Sequence, residues 1–235
     1  MATITDICNM YLLLTAATAA EIQPSIDFLE KNSFTLQPHN AELLITGVGT
    51  VATTYSLTHH LINRRPDLVI QAGIAGSFRE NNAGEVVTVK HEVFGDTGVW
   101  ENEKFNNIFD LKLEDDNRRP FTDQSLINPY QKLLQLSGQE LVKAITVNEI
   151  TTDAKRIEWY KQNLSPVVES MEGAAFHYVC LQENIPFLQV RSVSNCVGER
   201  DKTKWIMQEA VNNLNEKIIS LLKELQKYDE TYFRL

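Results

Sequence analysis

Cysteine is scarce: the 235 residues carry three, Cys8, Cys180 and Cys196, with no C-x-x-C pair. An odd, unpaired set does not build a disulfide framework and fits reduced thiols in a cytoplasm. Positive charge is also short, 22 Lys and Arg against 31 Asp and Glu, for a net charge of −9. Binding to phosphate backbones needs a basic face, so nucleic acid is not an expected partner. Long apolar runs are missing. Met10 to Ala20 is too short for a bilayer and no basic leader precedes it, so neither a membrane span nor secretion is expected. H-E-x-x-H and G-x-S-x-G are absent, which removes the zinc-protease helix and the acyl-transfer elbow. His59 and His60 are neighbours on a helix and cannot share a face, and no mixed Cys/His cluster occurs. Neither a metal nor another cofactor is expected. Internal repeats and low-complexity tracts are lacking too.

What is present is an ordinary globule, 43% hydrophobic and 23% charged, sized for one α/β domain over residues 1–235. Strands and helices alternate. Tyr11 to Thr15 reads as a strand buried on both faces, and Ile22 to Lys31 as a helix, with Glu21 at the crossing between them. A first-turn glutamate favoured by the helix dipole accounts for Glu21 without any function. Leu43 to Thr46 is a strand, followed by a helix to about Asn63. Between them Gly47-Val48-Gly49-Thr50-Val51-Ala52 satisfies G-x-G-x-x-A, with Asp67 20 residues after Gly47. A dinucleotide site does not follow, because Asp67 opens the next strand and the ribose-binding acid belongs at a strand end. The glycines permit a tight turn and close helix packing.

Asp67 to Gln71 is a strand leading into a glycine-rich turn, Ala72 to Ser77, able to aim backbone N–H groups at a ligand. Glu85 to Lys90 is a strand. Residues 91 to 128 read as a long polar loop, a lid or a subunit-contact segment; within it, Gly95-Asp96-Thr97-Gly98 is self-explanatory as a turn. Asn128 to Leu136 is a short helix and Leu141 to Glu149 a strand, with Thr152 or Asp153 capping the helix after it. Met207, Val211, Leu214, Ile218, Leu221 and Leu225 recur at helical spacing and form one core-facing side of a helix.

Residues 166 to 205 are the most informative stretch. Pro166 to Glu169 suits a short buried strand, Gly173 opens a helix immediately after Met171-Glu172, and Ile185 to Val193 is a second buried strand ending at Ser194-Asn195. In α/β sheets, ligands bind at the carboxyl ends of strands, so Glu172, Arg191, Ser194 and Asn195 converge on one crevice. A carboxylate, a guanidinium, a hydroxyl and an amide are more polar chemistry than a core tolerates. A capped helix beside a polar loop fits the same spacing equally well.

These motifs resemble the nucleoside phosphorylase and nucleosidase superfamily over roughly residues 10 to 225. V-E-S-M-E-G-A-A is similar to its ribose-binding turn, V-R-S-V-S-N to its base-binding strand end, and Ser194 to Trp205 (S-N-x-V-G-x-R-D-x-x-x-W) resembles the futalosine hydrolases within it. The resemblance implies a three-layer αβα sandwich with a central mixed sheet, and a nucleosidase domain. It implies that Glu21 holds and deprotonates the attacking water, since the first loop has no Gly or Arg to hold phosphate. Val48 would line the pocket for the 5′-substituent, Ala75 and Gly76 would lie beside ribose and nucleophile, and Ile150 and Thr151 would meet the base. Met171 and Glu172 would hold the ribose, Arg191 and Ser194 would orient the water site, and Arg200 would meet a distal carboxylate. The family's turn carries serine where this chain has Ile74.

Asn195 stands where adenine-cleaving members carry aspartic acid. An amide cannot give up a proton but can donate to N7 or O6 of a 6-oxopurine. The implied reaction is hydrolysis of futalosine to hypoxanthine and dehypoxanthine futalosine, a step of menaquinone biosynthesis, by a homo-oligomer. A methylthioadenosine/adenosylhomocysteine or aminofutalosine nucleosidase, a phosphorylase, and a non-catalytic purine-binding protein remain as alternatives.

Overall fold

The computed structural model describes residues 10–32, 39–101 and 104–234. The expectation for Cys8 lies outside the described residues; Cys180 is a buried free thiol and Cys196 an exposed one. In chain order the elements are β1 (Tyr11–Ala16), α1 (Ala19–Lys31), β2 (Asn40–Ile45), α2 (Thr50–Asn63), β3 (Leu68–Ser77), β4 (Val86–Phe94), β5 (Gly98–Glu101), β6 (Lys104–Asn107), β7 (Leu126–Ile127), α3 (Gln131–Ser137), β8 (Glu140–Thr146), α4 (Ala154–Asn163), β9 (Val168–Ser170), α5 (Gly173–Glu183), β10 (Phe187–Cys196) and α6 (Met207–Leu225).

The main sheet is mixed. β2, β1, β3 and β10 run parallel, β4 lies antiparallel against β10, and β8 and β9 follow, parallel to β4 and to each other respectively. The start of β9, Val168 and Glu169, returns antiparallel to Ser77 and Gly76 of β3. β3 therefore forks: its first half pairs with β1 and its last two residues with β9, so the sheet curls into a ring around the β3 carboxyl end. Helices flank it, α1 packing with α6 and α2 with α5. This is the αβα arrangement with a central mixed sheet.

The core follows from composition. Leu12, Leu13 and Leu14 are all buried, as a strand covered on both faces requires, and Leu214, Ile218, Leu221 and Leu225 are the buried stripe of α6. Each such side chain contributes about 1.5–3 kcal/mol when fully buried. Met207 departs from that stripe and is exposed at the start of α6.

Two expectations are corrected. Ala72 to Ser77 is not a turn but the second half of β3, because β10 pairs with it continuously from Val69 to Ser77. The stretch 91 to 128 is not one long loop: it holds the end of β4, the β5–β6 hairpin and β7. Widely spaced aromatic residues anchor it. Phe105, Phe109, Phe121 and Leu126 are buried, while Asn107 Oδ1 accepts from the N–H groups of Phe109 and Asp110 to close a turn.

Candidate active site

A cavity of about 380 Å³ opens where β1, β3, β9 and β10 end. Glu21, Val48, Ala75, Gly76, Ile150, Met171, Glu172, Ser194, Asn195 and Arg200 line it; Arg191 and Thr151 lie behind its wall.

Glu21 is brought there by a break in α1. Pro24 has no N–H, and Ile22 leaves helical geometry at φ −124° and ψ 15°, so the first turn is offset from the rest. The buried side chain of Asn215 on α6 fills the gap. Its Oδ1 accepts from Ser25 N–H at 3.0 Å and Ser25 Oγ at 2.6 Å, and its Nδ2 donates to Glu21 O at 2.8 Å. One amide thus takes both halves of a missing helical hydrogen bond. Glu21 Oε2 accepts from the N–H and Oγ1 of Thr18 at 3.0 and 2.9 Å, capping the helix, and Oε1 accepts from Ile74 N–H at 3.1 Å. Glu21 thus caps the helix and lines the pocket with one side chain.

Glu172 is the N-cap of α5 and is buried. Its Oε1 accepts from Gly49 N–H at 3.0 Å, and its Oε2 lies 3.7 Å from a guanidinium nitrogen of Arg191. The same Arg191 nitrogen donates to Gln71 Oε1 at 2.9 Å. Arg191 is 1% exposed and faces Gly73 across the β3–β10 register. A Cβ at position 73 would lie 2.1 Å from that guanidinium, so glycine there makes room for the cation.

Asn195 owes its position to a β-bulge. The β10 register skips between Val193, opposite Ala75, and Asn195, opposite Gly76. The Ser194 hydroxyl donates to Asn195 Oδ1 at 2.8 Å, and Asn195 Nδ2 donates to Cys196 O at 2.8 Å. Ser194 therefore orients the amide, with its own carbonyl-directed contact to Ala75 O at 3.3 Å.

Thr151 is placed by a residue that the pattern of the sequence did not single out. Glu169 Oε1 accepts from Thr151 N–H at 3.1 Å and fixes the backbone beside Ile150. Burial pushes the Glu169 carboxyl above the usual carboxylate range, and the charge of Asp96 adds to this. Asp96 itself accepts from the backbone and side-chain amides of Asn148 and anchors the same segment. At the mouth, Val48 and Ile150 are exposed, and the Arg200 guanidinium stands 5.4 Å over the Trp205 ring. Glu169 and Asn215 were hidden for the same reason: each reads along the chain as one polar residue beside others, with nothing local to show that it is buried. Only the partners brought by other elements give it a role.

The chemistry available is specific: a carboxylate in a pocket with polar neighbours, a second carboxylate backed by a buried cation, and an oriented amide at the opposite strand end.

The sequence pattern of the phosphorylase superfamily matches residues 34–227. Futalosine hydrolase of Thermus thermophilus is 28% identical over 184 residues, 77% of this chain and 80% of that protein. The 5′-methylthioadenosine/S-adenosylhomocysteine nucleosidase of Anoxybacillus flavithermus is 27% identical over 202 residues, 83% of this chain and 85% of its own. Among solved structures, futalosine hydrolase of Helicobacter pylori superposes with a TM-score of 0.77 at 14% identity, covering 92% of this chain and 98% of that one. The same organism's methylthioadenosine nucleosidase, as a mutant with 5′-methylthioadenosine in its active site, gives 0.77 at 15% identity, covering 93% and 100%. At these identities the superpositions speak for the fold.

Proposed function

Since the chain belongs to the phosphorylase superfamily, we propose that it is a hydrolase that cleaves the N-glycosidic bond of a purine nucleoside, with futalosine as substrate and hypoxanthine as the released base. The observation that carries the substrate assignment is Asn195, whose Oδ1 accepts from Ser194 and whose NH₂ gives one N–H to Cys196 O, so that the second N–H is what it offers a ligand. An amide donor suits N7 and O6 of a 6-oxopurine and cannot protonate adenine. Water as nucleophile is supported by Glu21 in the pocket and by the absence of Gly or Arg from residues 16–20.

In the proposed reaction, Glu172 accepts from the 2′- and 3′-hydroxyls and places negative charge beside the oxocarbenium-like sugar. Glu21 takes the proton from water as it attacks C1′. Arg191 acts from behind, holding Glu172, while Ser194 holds Asn195. Ile150 meets the base, with Thr151 held behind it by Glu169; Val48 meets the 5′-substituent and Arg200 the distal carboxylate. A 5′-methylthioadenosine/S-adenosylhomocysteine nucleosidase is the competing reading, supported by a relative of nearly equal identity.

The test is product analysis with futalosine, aminofutalosine, methylthioadenosine and inosine, with and without phosphate. Release of hypoxanthine and a free sugar from futalosine in phosphate-free buffer is expected. A sugar 1-phosphate, or faster cleavage of the adenine nucleosides, refutes the assignment. The homo-oligomer reading is supported by the outer face of α2, where Val51, Tyr55 and Ile62 are 70–81% exposed next to the pocket mouth at Val48. Sedimentation analysis showing a monomer at micromolar concentration refutes it.

A further inference from the structure

A second polar group, unused by the chemistry above, lies against the start of α5. Glu92 on β4 is fully buried. Its Oε1 accepts from Thr146 Oγ1 at 2.9 Å, and that oxygen accepts from Ala174 N–H at 2.7 Å, two residues past Glu172. Its Oε2 accepts from Gln189 Nε2 at 3.1 Å. The Gln189 side chain also bears on His177, which is fully buried with Nδ1 3.2 Å from Leu126 O. The group is packed hard onto the helix: a Cβ at Gly173 would lie 2.3 Å from Glu92 Oε2 and 2.4 Å from Gln189 Nε2.

Counting donors and acceptors shows what this chain of groups requires. Leu126 O only accepts, so His177 Nδ1 carries a proton. A neutral His177 then presents a bare acceptor at Nε2, and an ionised Glu92 presents only acceptors. The amide between them has one donor end and one acceptor end and cannot satisfy both. With Nε2 toward Glu92, Gln189 Oε1 and His177 Nε2 are left without partners; with the amide turned, its oxygen faces a carboxylate oxygen. One further proton resolves the mismatch. On Glu92, it is donated to Gln189 Oε1, and the turned amide donates to His177 Nε2. On His177, it is donated to Gln189 Oε1, and the amide keeps its bond to the carboxylate. The first arrangement buries no charge in the relay and the second buries two.

We propose that His177, Gln189 and Glu92 form a relay holding one shared proton, resting on Glu92, and that this relay positions the α5 N-terminus that carries Glu172. The charged groups that face it are few. Arg191 acts on both ends and His91 on His177. Arg191 disfavours an imidazolium and favours the Glu92 carboxylate, but it is paired with Glu172 at 3.7 Å and burial of Glu92 outweighs its pull. Burial, the largest cause for each, pushes Glu92 up to about 7 and His177 down to about 3. The relay itself is independent of the proposed reaction; only its consequence for Glu172 rests on that reading.

Folding then moves a proton from His177 to Glu92 without changing the number bound. Between pH 4.5 and 6.5, the ordinary values of the two groups, the unfolded chain holds the proton on histidine and the native protein holds it on glutamate. The pair gives stability no slope across that window. Glu92→Gln keeps a donor for Gln189 Oε1 but removes the titrating acid. Its unfolded state then binds one proton more than its native state, so its stability relative to wild type rises with pH. His177→Gln leaves Glu92 protonated only when folded, so its relative stability falls with pH over the same window.

The experiment is urea denaturation of the full chain and both variants from pH 4.5 to 6.5, with ¹⁵N NMR of His177 in the wild type. Opposite slopes of the two difference curves and a neutral, Nδ1-protonated His177 at pH 6 are expected. Parallel curves, an imidazolium at pH 6, or an ionised Glu92 carboxylate at pH 6 by ¹³C NMR overturn the proposal; the two NMR readouts together decide it even if both variants fail to fold. None of these readouts needs substrate, so they stand or fall apart from the assigned reaction. On the proposed substrate, Glu92→Leu is expected to cost turnover on the order of ten- to a hundredfold through misplacement of Glu172, with Glu92→Gln restoring most of it. Equal losses in the two overturn the positioning role.

Discussion

Truncating Glu172 tests the ion pair on which the pocket is built. Its Oε2 is 3.7 Å from Arg191, with side-chain exposures of 7% and 1%. At an effective dielectric constant near 20, two unit charges at that distance attract by ~4.5 kcal/mol. Glu172→Ala leaves Arg191 buried with only Gln71 as a hydrogen-bond partner and strips Gly49 N–H of its acceptor. Loss of one partner of a buried pair costs about 3–5 kcal/mol. The open pocket admits water to the vacated space, which favours the lower end. Against a total stability of about 5–15 kcal/mol, the alanine variant stays folded on a reduced margin, but with Arg191 left unpaired its lost turnover is not interpretable as loss of the carboxylate alone. Glu172→Gln isolates the charge, because its amide oxygen still accepts from Gly49 and only the pairing with Arg191 is lost. The assay is a cycle of wild type, Glu172→Gln, Arg191→Met and the double variant in urea, followed by tryptophan fluorescence at pH 7. The double variant should be more stable than the sum of single losses predicts by at least about 2 kcal/mol, with little change on adding salt. Additivity within about 0.5 kcal/mol refutes the pair as an electrostatic unit. In kinetics, Glu172→Gln should lower kcat/KM by about 10²–10⁴, and wild type should cleave a 2′-deoxy substrate poorly.

Other outcomes follow from the same geometry. Glu21→Gln should reduce turnover by about 10²–10⁴ while leaving substrate binding nearly intact by calorimetry; a loss confined to affinity contradicts the base role. Asn195→Asp should shift the ratio of kcat/KM from futalosine toward aminofutalosine, most at acidic pH where the new acid is protonated; an unchanged ratio between pH 5 and 8 moves base reading to another group. Gly73→Ala sets a Cβ 2.1 Å from the Arg191 guanidinium and should cost about 1–3 kcal/mol by overpacking, read as a fall in Tm; an unchanged Tm refutes the close approach. Asn215→Leu leaves Ser25 N–H and Glu21 C=O unpaired at about 1–3 kcal/mol each and should lower kcat beyond the effect on stability. Full activity in the folded variant means that the helix break does not place Glu21.

Local chemistry decided much of this protein. The apolar run of β1 has no stable place outside a buried strand, the stripe from Leu214 to Leu225 has one buried side, and Met171-Glu172-Gly173 marks a strand end turning into a helix. Those are short-range consequences of side-chain period and size. The pocket residues Glu172, Ser194 and Asn195 were legible as polar groups at or just past strand ends, where an α/β sheet opens to solvent, whereas Glu21 was named by the family resemblance alone. The roles of buried polar residues were not legible. Whether Arg191, Glu92, His177 or Asn215 is a defect, a ligand or a support depends on which distant atom completes its hydrogen bonds. The partners lie on other elements: Gln71 and Glu172 for Arg191, Thr146 and Gln189 for Glu92, Ser25 and Glu21 for Asn215. The glycine-rich end of β3 shows the same division. Its composition reads as a turn, and only pairing with β10, together with the guanidinium packed over Gly73, makes it a strand. Periodicity and turn chemistry act between near neighbours and can be read along the chain. Burial of charge is settled across it, because a buried ion or amide is tolerated only where the fold delivers its complement.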